Sequence, residues 1–171
     1  MSLCFTVGGT RETFDESYAT EVACLLDNAF GAEGDWEGVA PRRFGELDRD
    51  LWAEFRGRAV ATLGVDESTN VQALGESGHG VFLPSPLQAV SLRLKAGDHL
   101  HCASLPGLRN ELEELAKRWE LPLHDAGLEA IVREQIDGGG VADSPEVVVF
   151  AHLALAANEA VRRDCPLWIV G

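Results

Sequence analysis

The residues most capable of chemistry are two histidines in the run Asp98-His99-Leu100-His101-Cys102. If this run is a β-strand, His99 and His101 project from the same face, because successive side chains alternate between the faces. Two imidazoles on one face can bind a divalent metal such as Zn²⁺, and His124 is a candidate third ligand from a nearby turn. The match is short, so the sequence favours a second interpretation, in which the histidines are half-exposed, hydrogen-bond to acidic neighbours and hold no metal cofactor.

Two further segments have the residue types of a reactive site but not its spacing. Ser77 and His79 share a glycine-rich loop, but a nucleophile elbow needs Gly two residues after the Ser, where this chain has His79. Gly8-Gly9-Thr10-Arg11 follows a predicted strand and precedes a helix, but it lacks both glycine spacings of phosphate-binding loops. We therefore predict turns at both segments, and spacing reveals no complete set of catalytic residues.

Charge is the most pronounced global property of the chain, which has 28 acidic and 14 basic residues and a formal net charge of −14. A surface this negative repels phosphate backbones and anionic lipid head groups, which argues against direct binding to nucleic acid or membranes. It suits a basic protein partner, although net charge also serves solubility alone. Acidic residues cluster at 33–37 and 46–54, around Trp36 and Trp52, and these two aromatic side chains are predicted to bind such a partner.

Length and cysteine usage indicate one globular domain over residues 1–171 in a reducing compartment. The chain has 171 residues, close to the commonest domain size, and no apolar stretch approaches the roughly 18 residues that a bilayer span needs. It has no recognisable secretory signal, and its four cysteines form no CxxC pair. We therefore expect a soluble, cytoplasmic protein with free, buried thiols.

Hydrophobic periodicity predicts the elements that must position these residues. A capping box formed by Thr13 and Glu16 is predicted to start the first helix, and Gly31 to end it. Residues 31–45 are predicted to be a loop. Helices are predicted at about 14–30, 46–63, 108–119, 125–137 and 144–163. The apolar face of the fourth helix is predicted to be Leu128, Ile131, Val132 and Ile136. This helix is predicted to end at the glycines 138–140. Strands are predicted at 3–7, 71–74, 81–83, 89–95, 100–103 and 167–170, the middle four as an antiparallel meander.

The segment from Ser144 to about Arg163 is predicted to be a central, buried helix. Ser144 is a favourable cap, Pro145 suits the first helical position, and residues 147–157 are apolar nearly all round. The alternative is that residues 146–150 form a strand, since periodicity alone cannot separate the two in a β-branched run. The element order lacks regular βα alternation and predicts an α+β domain with about five helices on one side of a small, mostly antiparallel sheet.

The sequence alone does not identify a function and leaves three interpretations open. The first, which the acidic surface favours, is a non-enzymatic binding or regulatory module, such as an inhibitor or immunity-type protein that neutralises a basic toxin or nuclease. The second is a small metal-dependent enzyme that uses His99, His101 and His124. The third is a structural subunit that self-associates through an apolar face. Whether the three histidines converge is the observation that best separates the first two interpretations.

Overall fold

The computed structural model describes residues 2–31, 36–73, 79–137 and 144–171, and the elements below lie within these ranges. The strands are β1 (Ser2–Val7), β2 (Arg42–Asp48), β3 (His79–Leu83), β4 (Val90–Arg93), β5 (His99–Ser104) and β6 (Leu167–Val170). The helices are α1 (Thr10–Thr13), α2 (Glu16–Phe30), α3 (Arg49–Leu63), α4 (Thr69–Ala73), α5 (Leu105–Trp119), α6 (Asp125–Asp137) and α7 (Pro145–Arg163). None of these helices combines the length and the apolarity that crossing a bilayer requires.

The strands form one mixed sheet in the order β2-β1-β6-β3-β5-β4. Neighbouring strands are antiparallel except β3 and β5, which are parallel. The α+β class and the mostly antiparallel sheet are thus confirmed. The predicted meander is wrong, because β5 lies between β3 and β4 and because residues 71–73 of the predicted strand 71–74 belong to the short helix α4.

Helices cover both faces of the sheet, which corrects the prediction of one-sided packing. Helices α3 to α7 enclose one core with sheet residues such as Phe5 and Ile169. On the opposite face, α2 packs Val22 and Leu26 against a second core that includes Trp168. Ile169 and Trp168 are consecutive in β6 and enter different cores, because side chains alternate along a strand.

Helix α7 is the central helix, as predicted. It contacts helices α3, α5 and α6 and strands β1, β2 and β6. Its side chains from Val148 to Ala157 are buried except His152, so the alternative of a strand at 146–150 is excluded. Pro145 is the first helical residue, whereas Ser144 makes no side-chain capping hydrogen bond.

Two helices begin later than predicted, and an aspartate caps each of them. The carboxylate of Asp15 accepts the backbone N–H groups of Ser17 and Tyr18 at 3.1 Å, so α2 starts at Glu16 and has no Thr13 capping box. Asp48 caps α3 by accepting the N–H of Asp50 at 3.1 Å. Both helices end before a glycine, as predicted.

An unpredicted edge strand, β2, occupies part of the region that was expected to be a loop. Its register against β1 shifts between Cys4 and Phe5, and Gly45 has a φ of +67° there, which together make a β-bulge.

A further correction is Ile136, which is 74% exposed instead of facing the core. Ser77, the side chain of His79 and the glycines at 138–140 lie outside the described residues.

Candidate functional site

The structure does not bring the three predicted metal ligands together. Strand β5 places His99 and His101 on one face, and Nδ1 of His101 lies 2.7 Å from Oγ of its cross-strand neighbour Ser91. His124 precedes α6, where its Nδ1 accepts the N–H of Gly127 at 3.1 Å. Within the described ranges, no group of three or more His, Cys, Asp or Glu side chains could hold a metal ion. The geometry therefore gives no support to a metal centre at these histidines.

Ser91 and His101 lie at the hydrogen-bond distance of a catalytic serine and its histidine base, but they share no other feature of such a pair. Burial, with smaller contributions from His99 and Arg56, lowers the pKa of His101. A catalytic pair also needs a group that orients the imidazole, and among the described residues no carboxylate hydrogen-bonds to His101. Ser91 itself is exposed on the edge strand β4. The pair is accounted for as a cross-strand contact that satisfies a half-buried imidazole.

The cysteines offer no buried nucleophile. All four are free, as expected, although Cys24 is exposed and Cys4 is only partly buried. Burial raises the pKa of Cys102 to about 12 and that of Cys165 to about 11. Since the thiolate is the reactive form, these two side chains remain protonated and inert near neutral pH.

Trp52 is a core residue, which corrects its assignment to a docking surface. It is 3% exposed, and its ring stacks on Phe55 with 5.6 Å between centroids. It also meets Phe5 edge-on at 5.7 Å. The buried face of α3 is formed by Trp52, Phe55, Ala59 and Leu63, which recur at helical spacing.

Trp36, the other predicted anchor, is half-buried and packs against both cores. Its carbonyl oxygen accepts the N–H of Val39 at 3.3 Å and lies so close to Gly9 that a Cβ there would collide with it. The turn after β1 therefore fixes the backbone of Trp36. The acidic residues at 33–35, part of the predicted docking surface, lie outside the described residues.

Trp36 lines a cavity of about 330 Å³, referred to below as the Trp36 cavity. Its other walls are the C-terminal end of α2, the segment that follows β3, and Asp164 at the end of α7. The apolar lining includes Leu26, Leu87 and Phe30, and Phe30 is 36% exposed. Ligand pockets commonly measure about 300–1,000 Å³, so this cavity suits one large side chain or a small molecule.

The electrostatic character of the Trp36 cavity is negative. Its charged lining residues are Asp27 and Asp164, and no described lining residue is basic. Helix α2 ends at this cavity with no basic residue in its last turn, so the partial negative charge of its C-terminus adds to that of the two carboxylates. Asp164 is the C-cap of α7, whose last turn carries Arg162 and Arg163. The arrangement can hold an apolar body with a positively charged tip.

Sequence reasoning found Trp36 but missed Asp27 and Asp164. The sequence shows where their two helices end, because Gly31 follows α2 and the Cys165-Pro166 pair follows α7. It does not show that the two helix ends lie close together in the folded protein. The candidate site therefore depends on geometry alone. No protein-family model, no curated protein and no solved structure matches this chain.

Proposed function

We propose that this protein is a non-catalytic binding module that receives an arginine side chain of a basic protein in the Trp36 cavity. The observation that carries the proposal is the combination, in one cavity of about 330 Å³, of an apolar wall that includes Trp36 with the carboxylates of Asp27 and Asp164. An inhibitor or immunity-type protein that neutralises a basic toxin or nuclease is a concrete form of this function.

Arginine matches this lining better than a purely apolar or a purely charged group. Its methylene stem can pack along Leu26 and Leu87, and its planar guanidinium can pair with carboxylates and stack on an indole. A cation over a tryptophan face contributes about 0.5–2 kcal/mol, depending on how far the pair is desolvated. The formal net charge of −14 would also speed the encounter with a basic partner and disfavour nucleic acid.

A titration with a minimal probe tests the cavity directly. We expect N-acetyl-arginine amide to perturb the Trp36 indole N–H signal saturably in NMR spectra, and the neutral N-acetyl-norleucine amide to leave it unchanged. Asp27→Asn combined with Asp164→Asn should weaken binding by about tenfold or more, the equivalent of 1.4 kcal/mol. The matched control is Glu113→Gln, which removes an exposed carboxylate on α5. Equal binding of both probes, or by the double variant, would contradict the proposal.

A pull-down at two salt concentrations extends the test to the partner. Electrostatic steering weakens with salt, because the Debye length falls from about 10 Å at 0.1 M to about 3 Å at 1 M. A basic partner recovered at low salt from the native organism should therefore be lost in a high-salt wash. Trp36→Ala should reduce recovery, and loss of its packing against both cores should also lower the melting temperature, so recovery is compared at a temperature at which the variant is folded. Full recovery of the partner by the folded variant would contradict the proposed role of Trp36.

A further inference from the structure

Strand β4 is an edge of the sheet, and among the described strands it pairs with β5 alone. The N–H of Leu94 donates to the carbonyl oxygen of Asp98 at 2.8 Å, which sets the phase of the antiparallel ladder. Because hydrogen-bonded and non-hydrogen-bonded pairs alternate in such a ladder, the backbone groups of Leu92 point to β5, and those of Ser91 and Arg93 point outward. The outer edge of β4 can therefore accept one more strand.

A cavity of about 750 Å³ lies between α2 and β4 and is referred to below as the β4 groove. One wall is a flank of α2 that includes Thr20, Cys24 and Leu25. The other wall is the C-terminal end of β4 with the turn that follows it. The β4 groove shares no described lining residue with the Trp36 cavity. An extended chain that pairs with the edge of β4 would therefore lie along the flank of α2.

The two faces of β4 differ in chemistry. Leu92 packs against the second core, on the side of the sheet that α2 covers, and Val90 faces the same side because side chains alternate along a strand. Val90 is 39% exposed although it is apolar. Ser91 and Arg93 face the opposite side, where Ser91 contacts His101. A strand added at this edge would therefore place every second side chain toward α2 and the others beside Ser91 and Arg93.

The wall that α2 contributes is acidic. Every charged residue of α2 is a carboxylate, and Glu16 and Glu21 line the groove together with Asp15, which caps the helix. Glu21 also accepts the backbone N–H of Lys95, which links the end of β4 to α2. The basic lining residues, Arg93 and Lys95, belong to the opposite wall. The side chains of an added strand that face α2 are therefore complementary when they are basic, and those beside Arg93 when they are uncharged.

We infer that the β4 groove binds an extended, basic segment of a partner protein as an added strand, antiparallel to β4. The main chain of this segment exchanges hydrogen bonds with the outward groups of Ser91 and Arg93, which is the mode of β-strand addition. Its basic side chains lie beside Glu16 and Glu21, and an apolar side chain between them contacts Leu25. The formal net charge of −14 favours the approach of such a segment. The inference is independent of the arginine site proposed in the Trp36 cavity and is tested without it.

Titration with a short peptide, followed by NMR, tests the inference. The probe is acetyl-TKTVTKT-amide, in which the lysine and valine side chains share one face of a strand and the threonines share the other. We expect the amide signals of Ser91 and Arg93 to shift saturably and their hydrogen exchange to slow. The peptide with glutamate in place of both lysines should bind at least about tenfold more weakly. No saturable shift with the basic peptide, or equal binding of the acidic one, would overturn the inference.

Backbone methylation of the peptide distinguishes strand addition from simple charge attraction. In an antiparallel pair, the peptide residues opposite Ser91 and Arg93 direct their N–H groups to β4, and the threonines occupy this face. N-methylation of the threonines should therefore weaken binding by at least about tenfold. N-methylation of the lysines and the valine affects N–H groups that point away from β4 and should be tolerated. Any other pattern would overturn the antiparallel arrangement.

Ser91→Pro tests the edge from the side of the protein. Proline is tolerated on an edge strand where the N–H faces outward, and it removes this donor. The matched control is Ser91→Ala, which also loses the contact with His101 but keeps the N–H. We expect Ser91→Pro to weaken binding of the basic peptide by at least about tenfold and Ser91→Ala to bind it normally, with thermal melts to verify folding. Equal binding by the two variants would overturn the inference.

A charge variant and a measurement of mass complete the test. Glu16→Gln combined with Glu21→Gln should weaken binding by about tenfold, while the glutamine at position 21 can still accept the N–H of Lys95. Unchanged binding by this double variant would remove the acidic wall from the inference. Sedimentation of the protein alone examines a second copy as the occupant. A dimer that Ser91→Pro dissociates would show that β4 pairs with itself, and the inference of a partner segment would fail.

Discussion

The carboxylate of Glu111 accepts hydrogen bonds from both the backbone N–H and the side-chain amide of Asn70, each at 2.8 Å. It also accepts the backbone N–H of Val71 at 2.9 Å. These amides belong to the first turn of α4, where N–H groups have no partner within the helix. Glu111 is 7% exposed. A buried carboxylate of α5 therefore caps the start of α4, where the sequence pattern predicted a strand.

Replacing Glu111 by alanine should therefore destabilise the protein by about 2–4 kcal/mol, because it leaves buried N–H groups without a partner. Chemical denaturation measures this change in the free energy of unfolding. Glu113→Ala on the same helix is the control, since its ion pair with Lys117 is exposed and such pairs contribute at most about 1 kcal/mol. Similar losses in the two variants would show that Glu111 does not support α4.

Gly45→Ala should destabilise the protein by about 2–4 kcal/mol, from the positive φ and from collision with His152. Adding His152→Ala should recover the part due to collision and leave the part due to φ, which a double-mutant cycle measures. Gly57→Ala is the contrasting control. A Cβ at Gly57 meets no neighbouring atom within 4 Å in the interior of α3, so this change should stabilise the protein by up to about 1 kcal/mol. A loss at Gly57 equal to that at Gly45 would contradict this explanation.

Stability should decrease as pH falls below about 6.5, the usual pKa of histidine, partly because of His152. Burial lowers the pKa of His152 in the folded state, so over this window the unfolded chain binds a proton that the folded chain does not. His152→Gln should reduce the slope of unfolding free energy against pH between about 6.5 and 5. Burial also lowers the pKa of His101, so part of the slope should remain. An unchanged slope in the variant would contradict the assignment.

Leu153→Asp should unfold the protein. Leu153 is 0% exposed in α7, and burial of an unpaired carboxylate costs several kcal/mol against a total stability of about 5–15 kcal/mol. Circular dichroism and thermal melts measure the loss of structure. Val161→Asp is a control on the same helix, where the side chain is 50% exposed and the change should be tolerated. A folded Leu153→Asp protein would show that α7 is not the centre of the core.

Local signals were sufficient to predict α7 but not β2 or α4. Pro145 and the apolar run after it act within the helix itself, so no tertiary information was needed. β2 is an edge strand with mostly exposed side chains, and its alternation is interrupted by the bulge at Gly45. α4 has five residues, and Glu111, its main stabilising partner, is distant in sequence.

The candidate sites also divide into residues that local sequence signals predict and residues whose role depends on distant parts of the chain. The indole of Trp36 stood out because an aromatic residue in a glycine-rich acidic segment is a local signal. Asp27 and Asp164 are ordinary helix-end residues whose significance comes only from their meeting in one cavity. Trp52 was assigned to the surface because acidic residues surround it in the sequence, whereas its contacts with Phe5 and Phe55 appear only in the folded structure. His152 belongs to an apolar run, and the glycine that accommodates its ring lies on another element.

The position of β6 has a consequence for biosynthesis. This strand pairs with β1 on one side and β3 on the other, although it follows all the other elements in the chain. While a ribosome is still translating α7, the β1-β2 strand pair and the β3-β5-β4 unit cannot join, and each presents a strand edge that can pair with another chain. Residues 167–170 close both edges at once. The sheet is therefore expected to assemble after translation has passed these residues, with the nascent chain relying on chaperones until then.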